Sequence, residues 1–151
     1  MLGKWLRKRD LRPNTDEEIF RHNLLVALSA LAQSKEEQLV YVGIGCAVCD
    51  LTEDFETYGV RCYKEADHTS EQNKAIIELR AMVNAFVNKE QECFDPAVLE
   101  LDEWKAIRVQ AEATLNLFGV KLTALPRPVK KEPGVWQTDV LGHELTPLST
   151  R

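Results

Sequence analysis

The sequence lacks any run of about 18 apolar residues, so it offers no helix able to span a bilayer. It also lacks a glycine-rich phosphate loop, a Gly-x-Ser-x-Gly elbow and a His-Glu-x-x-His motif. Common signatures of nucleotide-binding and hydrolytic enzymes are therefore missing. Cysteine is sparse, with four in 151 residues. That is too few for a secreted disulfide scaffold, and reduced thiols in a reducing compartment are the simpler expectation. Basic residues open the chain, but residues 10–12 are Asp-Leu-Arg, where a secretory signal needs an apolar stretch. These absences predict a cytoplasmic protein, with a peripheral place at a membrane as the variant. No internal repeat or low-complexity tract occurs.

Apolar residues make up 44% and charged residues 28%, an ordinary globular mixture that allows a real core. The length suits one domain with some chain to spare. Net charge is −5, unevenly spread. Residues 1–12 hold Lys4, Arg7, Lys8, Arg9 and Arg12 against Asp10, a local +4 that leaves −9 on the rest. An acidic body repels nucleic acid and anionic lipid, so attraction to polyanions has to come from the arm. We read a basic arm at 1–13, a globular domain at 14–125 and an extended, Pro-containing tail at 126–151.

Three helices stand out. Thr15 and Glu18 form a capping box, and Phe20, Leu24, Ala27, Leu28 and Leu31 follow on one face, predicting a helix over 16–34. Thr69 and Gln72 cap a second over 70–91, with Ile76, Leu79, Val83 and Phe86 inward and Ile77 and Val87 widening the stripe. A third starts at Asp95-Pro96 or at Asp102. It buries Trp104, Ile107, Ala111, Leu115 and Phe118 and stops at Gly119. Between the first two, β-branched residues predict strands at 39–49 and 58–65. Ser34-x-x-Glu37 offers a helix through 51 instead, and "VKLTA" after Gly119 could add a strand. The expected fold class is α+β, three main helices on a small antiparallel sheet or hairpin, with an all-α bundle as the alternative.

The stretch "GIGCAVCD" at 43–50 places Cys46 and Cys49 three apart. With Cys62 and His68 they could make a Cys3His zinc set. The Ala47-Val48 spacer disfavours the turn that a zinc knuckle needs, and buried cysteine commonly serves as a small apolar residue. We therefore expect no cofactor. A redox pair fits poorly because Asp50 opposes a thiolate. Cys93 with His22 or His68 would make a nucleophile pair, without a local signature. The acidic run "DLTEDFE" lacks the alternating ligands and central glycine of a calcium loop.

Two segments suggest binding. In the arm, Leu2, Trp5 and Leu6 lie at helical spacing among Lys4, Arg7, Lys8 and Arg9, a pattern suited to an anionic membrane surface or to nucleic-acid phosphates. In the tail, Val135, Trp136, Val140, Leu141 and Leu145 form an apolar island in polar, Pro-rich chain. It reads as a docking peptide for a protein partner, for a second copy, or for a groove on its own body. The function expected is a non-enzymatic adaptor or regulatory protein acting through the helical body and the anchored tail. A zinc-stabilised nucleic-acid-binding regulator is second, and a Cys/His-dependent enzyme third.

Overall fold

The computed structural model describes residues 13–89 and 94–148. The arm, with Lys4, Trp5, Arg7, Lys8 and Arg9, lies outside the described residues, as does Cys93. The fold is α+β, with five α-helices and one small two-stranded antiparallel hairpin among the described residues. The helices are α1 (Asp16–Ala32), α2 (Lys35–Val42), α3 (Ala47–Phe55), α4 (Ser70–Val87) and α5 (Asp102–Leu117). The hairpin pairs β1 (Val129–Glu132) with β2 (Val135–Gln137). Among the described residues no helix is long and apolar enough to cross a membrane.

The start signals act as physical chemistry requires. Thr15 Oγ1 accepts the Glu18 amide at 3.1 Å, while the Glu18 carboxylate takes the Asn14 amide rather than that of Thr15. Thr69 and Gln72 form the full reciprocal box. Both proposed starts of the third helix are used: Asp95 caps a 3₁₀ turn, Pro96–Glu100, and α5 follows from Asp102. Gly119 ends α5 with φ +79°, a conformation glycine adopts without Cβ strain.

The expected strands at 39–49 and 58–65 do not form: residues 39–42 and 47–49 are helical around a turn, and 58–61 end a π-helix before irregular chain at 62–64. Ser34 Oγ accepts the Glu37 amide at 3.2 Å and starts α2. Gly43, at φ +71°, breaks it, and α3 begins after Cys46. From Glu56 the chain widens into a π-helix, Glu56–Arg61. There Gly59 sits so close to the Phe55 ring that a Cβ would meet it. β-Branched content is a weak guide against a capped start and a packed face. The "VKLTA" segment forms no strand; Val120 alone makes an antiparallel bridge, with Pro147.

The core is built around α1. Its residues from Leu24 to Ala32 are all buried, round the whole helix, as a central helix demands. It packs against α5, α3 and the π-helix, and α5 packs in turn on α4. The expected inward residues of α4 and α5 are buried, whereas Ile77 and Val87 stay exposed on the flank of α4.

One polar knot joins three of these helices. Gln38 of α2 is fully buried. Its Nε2 donates to the Ala30 and Leu31 carbonyls, both at 3.0 Å, serving the end of α1 where carbonyls lack helical partners. Its Oε1 accepts the indole N–H of Trp104, also fully buried, at 3.0 Å. Gln38→Leu strands these groups and should cost about 3 kcal/mol, since each buried unpaired group costs about 1–3. Trp104→Phe should cost a similar amount through lost volume and an orphaned amide oxygen. In urea unfolding, the double variant should fall short of the summed losses by about 1 kcal/mol. Strict additivity would show that the indole–amide bond contributes nothing.

Candidate functional site

After Gly119 the chain turns back along the body. Val120 and Leu125 are buried. Gln33 on the end of α1 donates through Nε2 to the Thr123 carbonyl, and Arg127 pairs with Glu37 at 2.8 Å. The far end is fixed as well. The Lys121 amide donates to Thr146 and the Leu148 amide to Gly119, both at 2.8 Å. His22 Nε2 lies 2.8 Å from the Val140 carbonyl oxygen. A carbonyl only accepts, so Nε2 carries the proton. Both flanks of the segment are thus anchored, and the hairpin between them is solvent-exposed: every residue of β1, and Trp136 and Gln137 of β2.

The hairpin owes its form to Pro133-Gly134. Proline suits the first corner of a type II turn and glycine the second, where φ is positive; Gly134 has φ +78°. The register pairs Val129 with Gln137, Lys130 with Trp136 and Glu132 with Val135, and a bulge at Lys131 absorbs the extra residue. Trp136 remains 61% exposed. Lys130 Nζ lies 5.9 Å from its ring centroid, within reach of a weak cation–π contact.

The five apolar residues of the tail therefore divide. Leu145 packs against the core, and Val140 and Leu141 are half-buried near the His22 contact. Val135 and Trp136 belong to the hairpin, together with exposed Val129. A segment read as extended thus contains paired strands. The signal was the Pro-Gly pair between "VKKE" and "VWQ", hidden by strands too short to show a period.

The cysteine and histidine candidates are not gathered. Cys46 caps α3 and is buried, and Cys49 lies one turn on; both line a small apolar cleft with Phe94 and Leu99. Cys62 and His68 line a different cleft, of about 400 Å³, beside the start of α1. Among the described residues no three His, Cys, Asp or Glu side chains come together to hold a metal ion. His22 binds the C-terminal segment instead.

The second cleft was not read from the sequence. Tyr63 stacks on His68 at 4.6 Å between ring centroids, and His68 meets Phe118 edge-on at 5.3 Å. The Tyr63 hydroxyl donates to Asn73 at 2.7 Å, and its pKa is pushed up to about 12, mainly by burial. Burial, then Arg21, lowers the His68 pKa, which Asp67 partly offsets. The imidazole is therefore neutral near pH 7, and its Nδ1 is buried without a partner. The Tyr63, His68 and Phe118 rings together brace this wall of the cleft.

His143 also has a lowered pKa, through burial first and His22 second, with Glu144 opposing. Both histidines favour the neutral form in the fold. Their contribution is complete above the ordinary value of 6.5 and is lost as pH falls below it. Melting temperature should therefore drop between about pH 7.5 and about pH 5.5. His143→Asn should shrink that drop, and at about pH 5.5 limited proteolysis should cut residues 138–148 more slowly in the variant than in the wild type. An unchanged pH profile in the variant would refute the His143 contribution.

Comparison with protein-family models, with curated proteins and with solved structures finds no match to this chain.

Proposed function

We propose that the chain is a non-enzymatic adaptor or regulatory protein that docks through its C-terminal hairpin. The observation that carries this reading is Trp136, 61% exposed on a hairpin whose two flanks are fastened to the body. A large aromatic side chain left in water forgoes burial worth roughly 1.5–3 kcal/mol, and tryptophan is a favoured interface anchor. An isolated two-stranded hairpin is marginal in water, but anchored ends hold its strands near each other before any partner arrives. Docking then orders little chain, which favours affinity. Val129 and Val135 add apolar surface on the opposite face of the hairpin. The free strand edges supply backbone groups for a partner strand. In the same reading the arm, through Lys4, Arg7, Lys8 and Arg9, adds a reversible, salt-sensitive contact with anionic lipid or nucleic acid.

A photo-crosslinking residue at Val129 or Gln137 tests the hairpin. In cell extract both positions should form protein adducts, while the more accessible Val109 on α5, 71% exposed against 54% for Val129, should form none. Adding Trp136→Ala should reduce adduct yield at least about tenfold, as loss of an anchor does, and shift the melting temperature by less than about 2 °C. Equal labelling at Val109, or labelling indifferent to Trp136→Ala, would overturn the adaptor reading.

A further inference from the structure

A groove of about 680 Å³ runs between α3 and α4, within the range of small-ligand sites and roomy for an indole ring. Phe55, Val60, Val83 and Val87 make its apolar lining, and Glu53 and Glu56 stand exposed beside them. Arg80 also borders it, but that cation is engaged elsewhere. Its Nε–H donates to the Gly59 carbonyl at 2.8 Å, and its guanidinium lies 5.4 Å from the Tyr63 ring centroid. The groove therefore offers two carboxylates against one tethered guanidinium, a net negative rim around an apolar lining. The hairpin offers the reverse: an exposed indole with Lys130 and Lys131 on the neighbouring strand.

We propose that the hairpin of one copy seats Trp136 in the α3–α4 groove of a second copy, with Lys130 and Lys131 facing Glu53 and Glu56. This rests on the hairpin being the docking element and names its occupant. Charge complementarity selects the pairing. The two lysines, which outnumber Glu132 on the same strand, meet two exposed carboxylates at the groove, and this attraction offsets the repulsion between two acidic bodies. Position supports it too. Thr138, the residue after β2, shares a small cavity with Asp50, Glu53 and Asp54 of α3, and Glu53 also lines the groove. The base of the hairpin and the rim of the groove thus meet on one short helix. A two-fold axis passing α3 lets each copy give one hairpin and receive one. Such an interface is self-complementary and closes at two chains rather than growing into a filament.

Sedimentation of the purified full chain tests the proposal, up to about 0.2 mM, where a micromolar contact is well populated. The wild type should sediment as two chains. Trp136→Ala, which keeps the groove, and Val87→Lys, which keeps the hairpin and alters an exposed position, should each raise the dissociation constant at least about tenfold, moving the monomer–dimer midpoint up the concentration series by that factor. Mixing the two variants should restore a two-chain species, because one intact hairpin then meets one intact groove. Lys130→Glu with Lys131→Glu should weaken association, and adding Glu53→Lys with Glu56→Lys should recover it. A wild type that is monomeric throughout, a Val87→Lys chain that dimerises normally, or a growing series of masses would each overturn the proposal. If the monomeric wild type still forms Trp136-dependent adducts with another protein, the adaptor reading stands and the second copy is the wrong occupant. If no adduct forms either, both fall.

Discussion

The amide of Gln38 is where three helices are tied. Burying an uncharged amide is unfavourable unless its polar atoms are used. Here Nε2 donates to two carbonyls and Oε1 accepts from an indole. The carbonyls belong to the end of α1, the central helix, and the indole to α5. α2 is only eight residues long, too short to persist alone, and the Gln38 bonds help hold it to the core. That position determines where α3 can start, and α3 borders both the hairpin base and the groove. The constraint is directional as well as energetic. A hydrophobic residue in place of Gln38 could fill the volume but could not specify which turn of α1 meets which face of α5.

The return of the C-terminal segment is the second organising feature. The body offers it scattered fastenings: Gln33 to Thr123, Glu37 to Arg127, His22 to Val140, and core contact for Leu145. Each is modest, since a hydrogen bond contributes about 1 kcal/mol net and an exposed ion pair less. Spread along the segment they act together, because once one end is fixed the next contact closes a shorter loop. The hairpin lies between these fastenings, with no hydrogen bond or ion pair from β1 or β2 to the described residues of the body. It is the part of the segment where apolar surface and unpaired backbone edges remain available, which is why the binding reading concentrates there.

Several features could be read directly from residue order. Thr15, Ser34, Thr69 and Asp95 each announce a helix start by a side chain that can take an orphan amide. Inward residues at three- and four-residue spacing on α4 and α5 declare their faces. Such signals are local, acting over four residues or fewer, or repeating with the helix period. The failures are also instructive. Residues 39–49 have strand-like composition, yet a capped start, a buried glutamine and a glycine stop make them the end of one helix and the start of the next around a turn. The four residues of the zinc set were adjacent only in sequence arithmetic; folded, Cys46 and Cys49 line one cleft and Cys62 and His68 another.

By itself, then, the sequence determined the starts of α1, α4 and α5, the inward faces of α4 and α5, the helix stop at Gly119 and the presence of a tryptophan-bearing segment after the body. It could not determine which apolar residues of that segment would be claimed by the body. Val140, Leu141 and Leu145 have the same burial preference as Val135 and Trp136, and nothing local distinguishes them. The difference is made by partners far away in the chain: His22 opposite Val140, the core opposite Leu145, and no described body contact opposite Trp136. The groove between α3 and α4 likewise exists only once two helices separated by the π-helix and a loop are placed side by side. Capping and periodicity act through near neighbours and survive in the linear code. Burial and complementarity depend on which surfaces meet, and only the tertiary structure decides that.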